Sequence, residues 1–110
     1  MAEGDIDMEY LERQTTLLQT TLLQFGSKAC VHCPKATSVL GDLTAEYAFS
    51  WIYQDCSSPL VEEFSITRLP AIVVWTGDRK QVTVYQGLRG DAVKKVVTDH
   101  CAARLENVDF

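Results

Sequence analysis

Cys30-Val31-His32-Cys33 is the segment that most restricts what this chain can become. Two thiols three residues apart can close one small-loop disulfide, and a bond of that kind is reactive chemistry more than scaffolding. An apolar stretch with Leu22, Leu23 and Phe25 precedes the pair and ends in Gly26-Ser27. A segment of helical periodicity, Lys35 to Tyr47, follows it. The expected order is a strand, a loop, then a helix that opens on Cys30. A cysteine at a helix N-terminus faces unpaired N–H groups and the positive end of the helix dipole. Both favour the thiolate, the reactive form of the residue.

The rest of the chain supplies elements that fit around that junction. Residues 6–18 space Ile6, Tyr10, Leu11, Leu17 and Leu18 compatibly with a helix, and 20–25 read as a buried strand. Ala36, Val39, Leu40, Leu43 and Tyr47 recur at threes and fours, which predicts an amphipathic helix over 33–48. Phe49 to Gln54 alternates like a strand, and Pro59 to Phe64 reads as a short helix capped by Ser57 or Ser58. Ala71 to Trp75 is a continuous apolar run suited to a central strand. Thr76-Gly77-Asp78 then makes a turn, and Lys80 to Tyr85 returns as the hairpin partner. Gly87 breaks that strand, and Asp91 caps a last helix whose inner face is Ala92, Val93, Val96, Val97 and Cys101. The order α β α β α β β α predicts an α/β fold: a mixed sheet of about four strands with helices on both faces.

Length and charge narrow the function. The 110 residues suffice for a single domain over 1–110, with 1–9 frayed. A net charge of -5 argues against a nucleic-acid partner, because binding phosphate needs a basic face. No apolar window is long enough for a membrane span. The acidic start Met1-Ala2-Glu3-Gly4-Asp5 lacks the basic and apolar parts of a secretory signal, so the expected location is cytoplasmic and reducing. Four cysteines are too few for a disulfide scaffold, and in a reducing compartment this spacing is catalytic or metal-binding.

The element order with C-x-x-C at the first strand–helix junction resembles the thioredoxin-like superfamily. Ile66-Thr67-Arg68-Leu69-Pro70, followed by the apolar run from Ala71, is similar to that family's proline before a central strand. The resemblance spans roughly residues 10–104. It implies a thioredoxin fold in which the Leu69-Pro70 bond is cis and packs against the redox pair, with the Leu69 backbone binding an extended substrate segment. It implies a thiol–disulfide oxidoreductase acting on protein disulfides, with no metal or organic cofactor. Electrons would come from a thioredoxin-reductase-type enzyme or from glutathione. Cys30 would attack a target disulfide, and the more buried Cys33 would resolve the mixed disulfide.

Lowering the Cys30 pKa by about two units corresponds to roughly 2.7 kcal/mol. A helix dipole supplies about 0.3–1 kcal/mol at the surface and ~2 in partly buried geometry. Val31 adds nothing, whereas His32 can help as a cation or a hydrogen-bond donor. A histidine before the second cysteine is similar to the oxidising members of the family. A stabilised thiolate raises the potential, with about 30 mV for each ~1.4 kcal/mol. Three departures stand out. Ala29 replaces the family's tryptophan before the first cysteine, Pro34 follows the second, and Gln24 occupies the position of a buried acid. Gln24 cannot exchange protons near neutral pH. Glutaredoxins offer a weaker comparison, since Arg68-Leu69-Pro70 departs from their Thr-Val-Pro.

Blander alternatives stand beside these. A C-x-x-C can be half of a zinc site, but Cys56, His100 and Cys101 are not paired at zinc-like spacing. Cys56 and Cys101 read as a plain small residue and a packing residue, and Trp51 and Trp75 as structural. A function of a different class is a thioredoxin-fold binding module that docks a partner with little redox turnover.

Overall fold

The computed structural model describes residues 20–76 and 81–103. Its elements run β1 (Thr20–Gly26), α1 (Cys33–Leu43), β2 (Tyr47–Ala48), β3 (Ser50–Asp55), α2 (Leu60–Glu63), β4 (Ala71–Thr76), β5 (Gln81–Gln86), α3 (Gly90–His100) and β6 (Ala102–Ala103). The main sheet has the order β3-β1-β4-β5. β1 lies parallel to β3, whereas the β1–β4 and β4–β5 pairs are antiparallel. This is the mixed four-stranded sheet that the pattern predicts.

The two faces of the sheet carry separate cores. Because side chains alternate along a strand, β1 sends Leu22 one way and Leu23 and Phe25 into a different cluster. Leu22 joins Ile72 and Val74 under Ala36, Leu40 and Leu43 of α1 and Val93, Val96 and Val97 of α3. Leu23 and Phe25 join Ala71, Val73 and Trp75 under Leu60 of α2 and Ile66. Helices therefore cover both faces. α2 is held at its start by Ser58, whose Oγ accepts from the Leu60 N–H at 3.2 Å.

Two expected boundaries differ. The helix expected over 33–48 stops at Leu43, and Tyr47 and Ala48 instead pair with Ala103 and Ala102. At the helix end, Thr44 N–H donates to Leu40 O and the Thr44 hydroxyl donates to Gly41 O at 2.7 Å. The hydroxyl takes up a carbonyl that another helical turn would have used. The helix also opens at Cys33 rather than Cys30, with His32 in the capping position and Cys30 in the preceding turn. The last helix starts at Gly90, two residues before the start that an Asp91 cap implies, with Asp91 in its first turn. The helix expected over 6–18 and the turn and strand start at 77–80 lie outside the described residues.

Candidate active site

The site is built where β1 ends and α1 begins. Cys30 and Cys33 form a disulfide with their Cα atoms 5.4 Å apart. Ser27 O accepts from the Cys30 N–H at 3.2 Å, and Cys30 O from the Cys33 N–H at 3.4 Å, so the loop folds tightly into the helix. The two cysteines are not equivalent: Cys30 is half-buried, whereas Cys33 is 4% exposed. Val31 between them is 85% exposed, and His32 is exposed without capping the helix through its side chain. Pro34 sits in the first turn, where an N–H would have no helical partner. No acidic side chain lies in that turn, so the positive end of the helix acts on the sulfurs unneutralised from within it.

A second segment reaches the same end of the sheet. The Leu69–Pro70 peptide bond is cis. Ala71 opposes Phe25 in the β1–β4 register, which sets Pro70 beside Gly26. The loop before the proline is tied to the hairpin. Gln86 Oε1 accepts from Thr67 N–H at 2.7 Å and Arg68 N–H at 3.0 Å, and Pro70 O accepts from Leu88 N–H at 3.0 Å. Gly87 has φ +65°, and an added Cβ there would meet the Arg68 guanidinium at 2.7 Å, which explains glycine after the strand. The half-buried Leu69 makes no backbone hydrogen bond among the described residues.

Behind the disulfide, Gln24 is fully buried and spans two elements. Its Nε2 donates to Thr37 Oγ1 on α1, and its Oε1 accepts from Trp51 Nε1 on β3, both at 2.9 Å. The residue is thus a neutral strut between helix and sheet. Replacing it with leucine leaves the indole N–H without its acceptor. A buried unmatched donor costs about 1–3 kcal/mol, the loss expected for Gln24→Leu in urea melts.

Beside the strut lies a cleft of about 450 Å³ lined by Ser27, Lys28, Cys33, Pro34, Thr37, Trp51 and Tyr53. Two of these residues, Cys33 and Tyr53, lie close to Gly26. An added Cβ would stand 2.8 Å from the Tyr53 hydroxyl and 3.3 Å from Cys33 Sγ. Burial and the nearby Asp55 and Cys56 raise the Tyr53 pKa above 10.0. The fully exposed Asp55 is lowered, chiefly by hydrogen bonds from Ser57. Sequence reasoning singles out neither Tyr53 nor Gln86. Their importance comes from long-range pairing, and the sequence hint at Tyr53 is Gly26, whose added Cβ would stand 2.8 Å from its hydroxyl.

The remaining cysteines differ from each other. Cys56 is exposed just after β3, and Cys101 is buried in the core with α1 and α3. Burial pushes the Cys101 thiol from 9.0 up to about 11. Unfolded, it ionises near pH 9, whereas the folded chain holds the proton until about pH 11. Stability should therefore fall across that window. The loss should be about 1–2 kcal/mol, less than a fully desolvated thiol would give, because solvent still screens the site. Urea melts of Cys101→Ala should show a flatter alkaline decline. Among the described residues no group of three or more His, Cys, Asp or Glu side chains is arranged to hold a metal.

No family model matches the sequence, and no curated protein matches it significantly. Solved structures do match. A thioredoxin of Plasmodium falciparum superposes with TM-score 0.75 at 14% identity, over 91% of this chain and 88% of that one. The reduced thioredoxin pre-protein of Schistosoma mansoni gives 0.72 at 16%, over 87% and 91%. A mutant thioredoxin from Halobacterium salinarum gives 0.72 at 19%, over 89% and 88%. No helix among the described residues is long and apolar enough to cross a membrane. With a sheet of order β3-β1-β4-β5, helices on both faces and these structural neighbours, the chain has the thioredoxin fold.

Proposed function

We propose that this chain is a thiol–disulfide oxidoreductase that exchanges protein disulfides through Cys30 and Cys33. The observation that carries the proposal is a disulfide joining a half-buried cysteine to a buried one at an acid-free helix N-terminus. Cys30 attacks the target as thiolate, and a mixed disulfide forms. Cys33 then attacks Cys30 and releases the reduced target. Leu69 and Pro70 form the groove that receives the substrate segment, with the Leu69 amide and carbonyl pairing to it. Electrons pass from sulfur to sulfur, so no cofactor is required. A thioredoxin-reductase-type enzyme or glutathione returns the pair to the dithiol. The domain extends over 1–110 and works in the cytosol, where a reducing pool maintains it.

Insulin reduction driven by dithiothreitol tests the proposal. Turnover that depends on Cys30 supports it. No turnover, with a stable partner captured equally by the oxidised and reduced protein, favours a binding module instead.

His32 tunes the pair. It holds the capping position of α1, between Val31 and Cys33, where a donor or cation favours the thiolate. Stabilising the thiolate stabilises the dithiol and makes the disulfide more oxidising. His32→Pro should therefore lower the potential measured against glutathione by about 20–30 mV. An unchanged potential removes His32 from the mechanism.

A further inference from the structure

Cys33 must become a thiolate to resolve a mixed disulfide, and among the described residues that line its cleft there is no carboxylate. Gln24 does not titrate, and both ends of its amide are engaged by Thr37 and Trp51. Cys33 faces the cleft together with the hydroxyl-bearing Tyr53. The Tyr53 hydroxyl and Cys33 Sγ converge on the bare Cα of Gly26, 2.8 Å and 3.3 Å from the point where a Cβ would stand. Any larger residue at position 26 would crowd both groups. Ser27 and Lys28 of the loop, and Pro34, Thr37 and Trp51, enclose the rest of the cleft.

We propose that the Tyr53 hydroxyl donates a hydrogen bond to the Cys33 sulfur once the disulfide opens, and so sets the pH at which the resolving thiolate forms. The proposal rests on the oxidoreductase reading and deepens it. In the resolving step, the Cys33 thiol gives its proton to water. The thiolate attacks Cys30 Sγ, the Cys30–Cys33 bond forms, and the bond from Cys30 to the substrate breaks. The substrate sulfur leaves with the electron pair and takes a proton from solvent. Two electrons have then passed from the dithiol to the substrate. Tyr53 keeps its own proton throughout. Burial first, then the electrostatic influence of Asp55 and Cys56, hold it in the donor form well beyond neutral pH. The charged and titratable groups facing it are Lys28 from the loop, Cys33 from α1, and Asp55 and Cys56 at the end of β3.

A hydrogen bond to the thiolate acts in two opposed ways. It increases the thiolate fraction at low pH and makes each thiolate less nucleophilic, with a Brønsted coefficient of about 0.4–0.5. Removing it therefore produces crossing pH profiles. The test uses full-length reduced protein carrying Cys56→Ser, so that the exposed third thiol does not react. Mixing with one equivalent of a chromogenic aromatic disulfide releases one coloured thiolate as Cys30 is capped and a second as Cys33 resolves. With Tyr53→Phe, the midpoint of the second step should rise by about one pH unit, its rate below the midpoint should fall about threefold, and its high-pH plateau should rise about threefold. The first step should be unchanged. Gly26→Ala, which retains Tyr53 but places a methyl 2.8 Å from the hydroxyl and 3.3 Å from the sulfur, should move the midpoint the same way. A midpoint that stays put in both variants, or a second step slowed equally at every pH, overturns the proposal. If the Tyr53-bearing parent releases only the first thiolate, the oxidoreductase reading itself fails, and the role of Tyr53 falls with it.

Discussion

Cys30→Ser should reduce insulin-disulfide turnover to the uncatalysed background, whereas Cys33→Ser should leave a protein that reacts once and stops. The asymmetry follows from exposure. Cys30 is half-buried, while Cys33 is 4% exposed. A serine hydroxyl at position 30 has no accessible anion near neutral pH, so the first attack is lost. A serine at position 33 leaves that attack intact but removes the resolving sulfur, so the substrate stays bound through Cys30. Mass spectrometry of Cys33→Ser after incubation with a disulfide substrate should show one adduct, removable by dithiothreitol. Equal activity in the two variants would contradict the assigned order of attack. Cys56→Ser should remain active, since its thiol lies just after β3 and outside the disulfide.

The second large effect concerns the fold. Phe25 is fully buried in the cluster of Leu23, Leu60, Ile66 and Trp75, on the face opposite α1. Phe25→Ala removes most of an aromatic side chain and leaves a cavity that rigid strands cannot close. Such truncations cost about 3–5 kcal/mol. A domain of this size has on the order of 5–15 kcal/mol to lose. With an m-value of about 1–2 kcal/mol/M, the urea midpoint should drop by about 2–3 M. Val31→Ala at the exposed tip is the matching control, with a change expected within about 0.5 kcal/mol. A Phe25→Ala midpoint within error of the parent would mean that the second core is not packed as described.

What is legible in the sequence is local or strictly periodic. The apolar run at 71–75 and the alternation at 49–54 mark strands, which the sheet places at its centre and at its edge. Pro70 can be placed at the start of its strand because a proline inside a buried strand would break the ladder. Tyr47 reads as helical because its spacing from Leu43 suits a helix. Its partner Ala103 lies far along the chain, and no window of local periodicity contains both. The cleft is illegible for a related reason. Gly26 looks like an ordinary break, and its meaning depends on Tyr53 arriving from a parallel neighbour strand. Gln24 reads as the absence of an acid, and the structure adds what stands in its place, a neutral bridge from Thr37 to Trp51.

Equilibrating the protein across a series of glutathione redox buffers, with thiols counted by alkylation and mass, addresses the central claim most directly. Cys30 and Cys33 should change state together in one two-electron transition, tenfold in ratio for about 30 mV. That transition should lie at a less reducing potential than the approximately -270 mV of thioredoxin. Two cysteines that remain oxidised under every reducing buffer, or that titrate independently of each other, would contradict it.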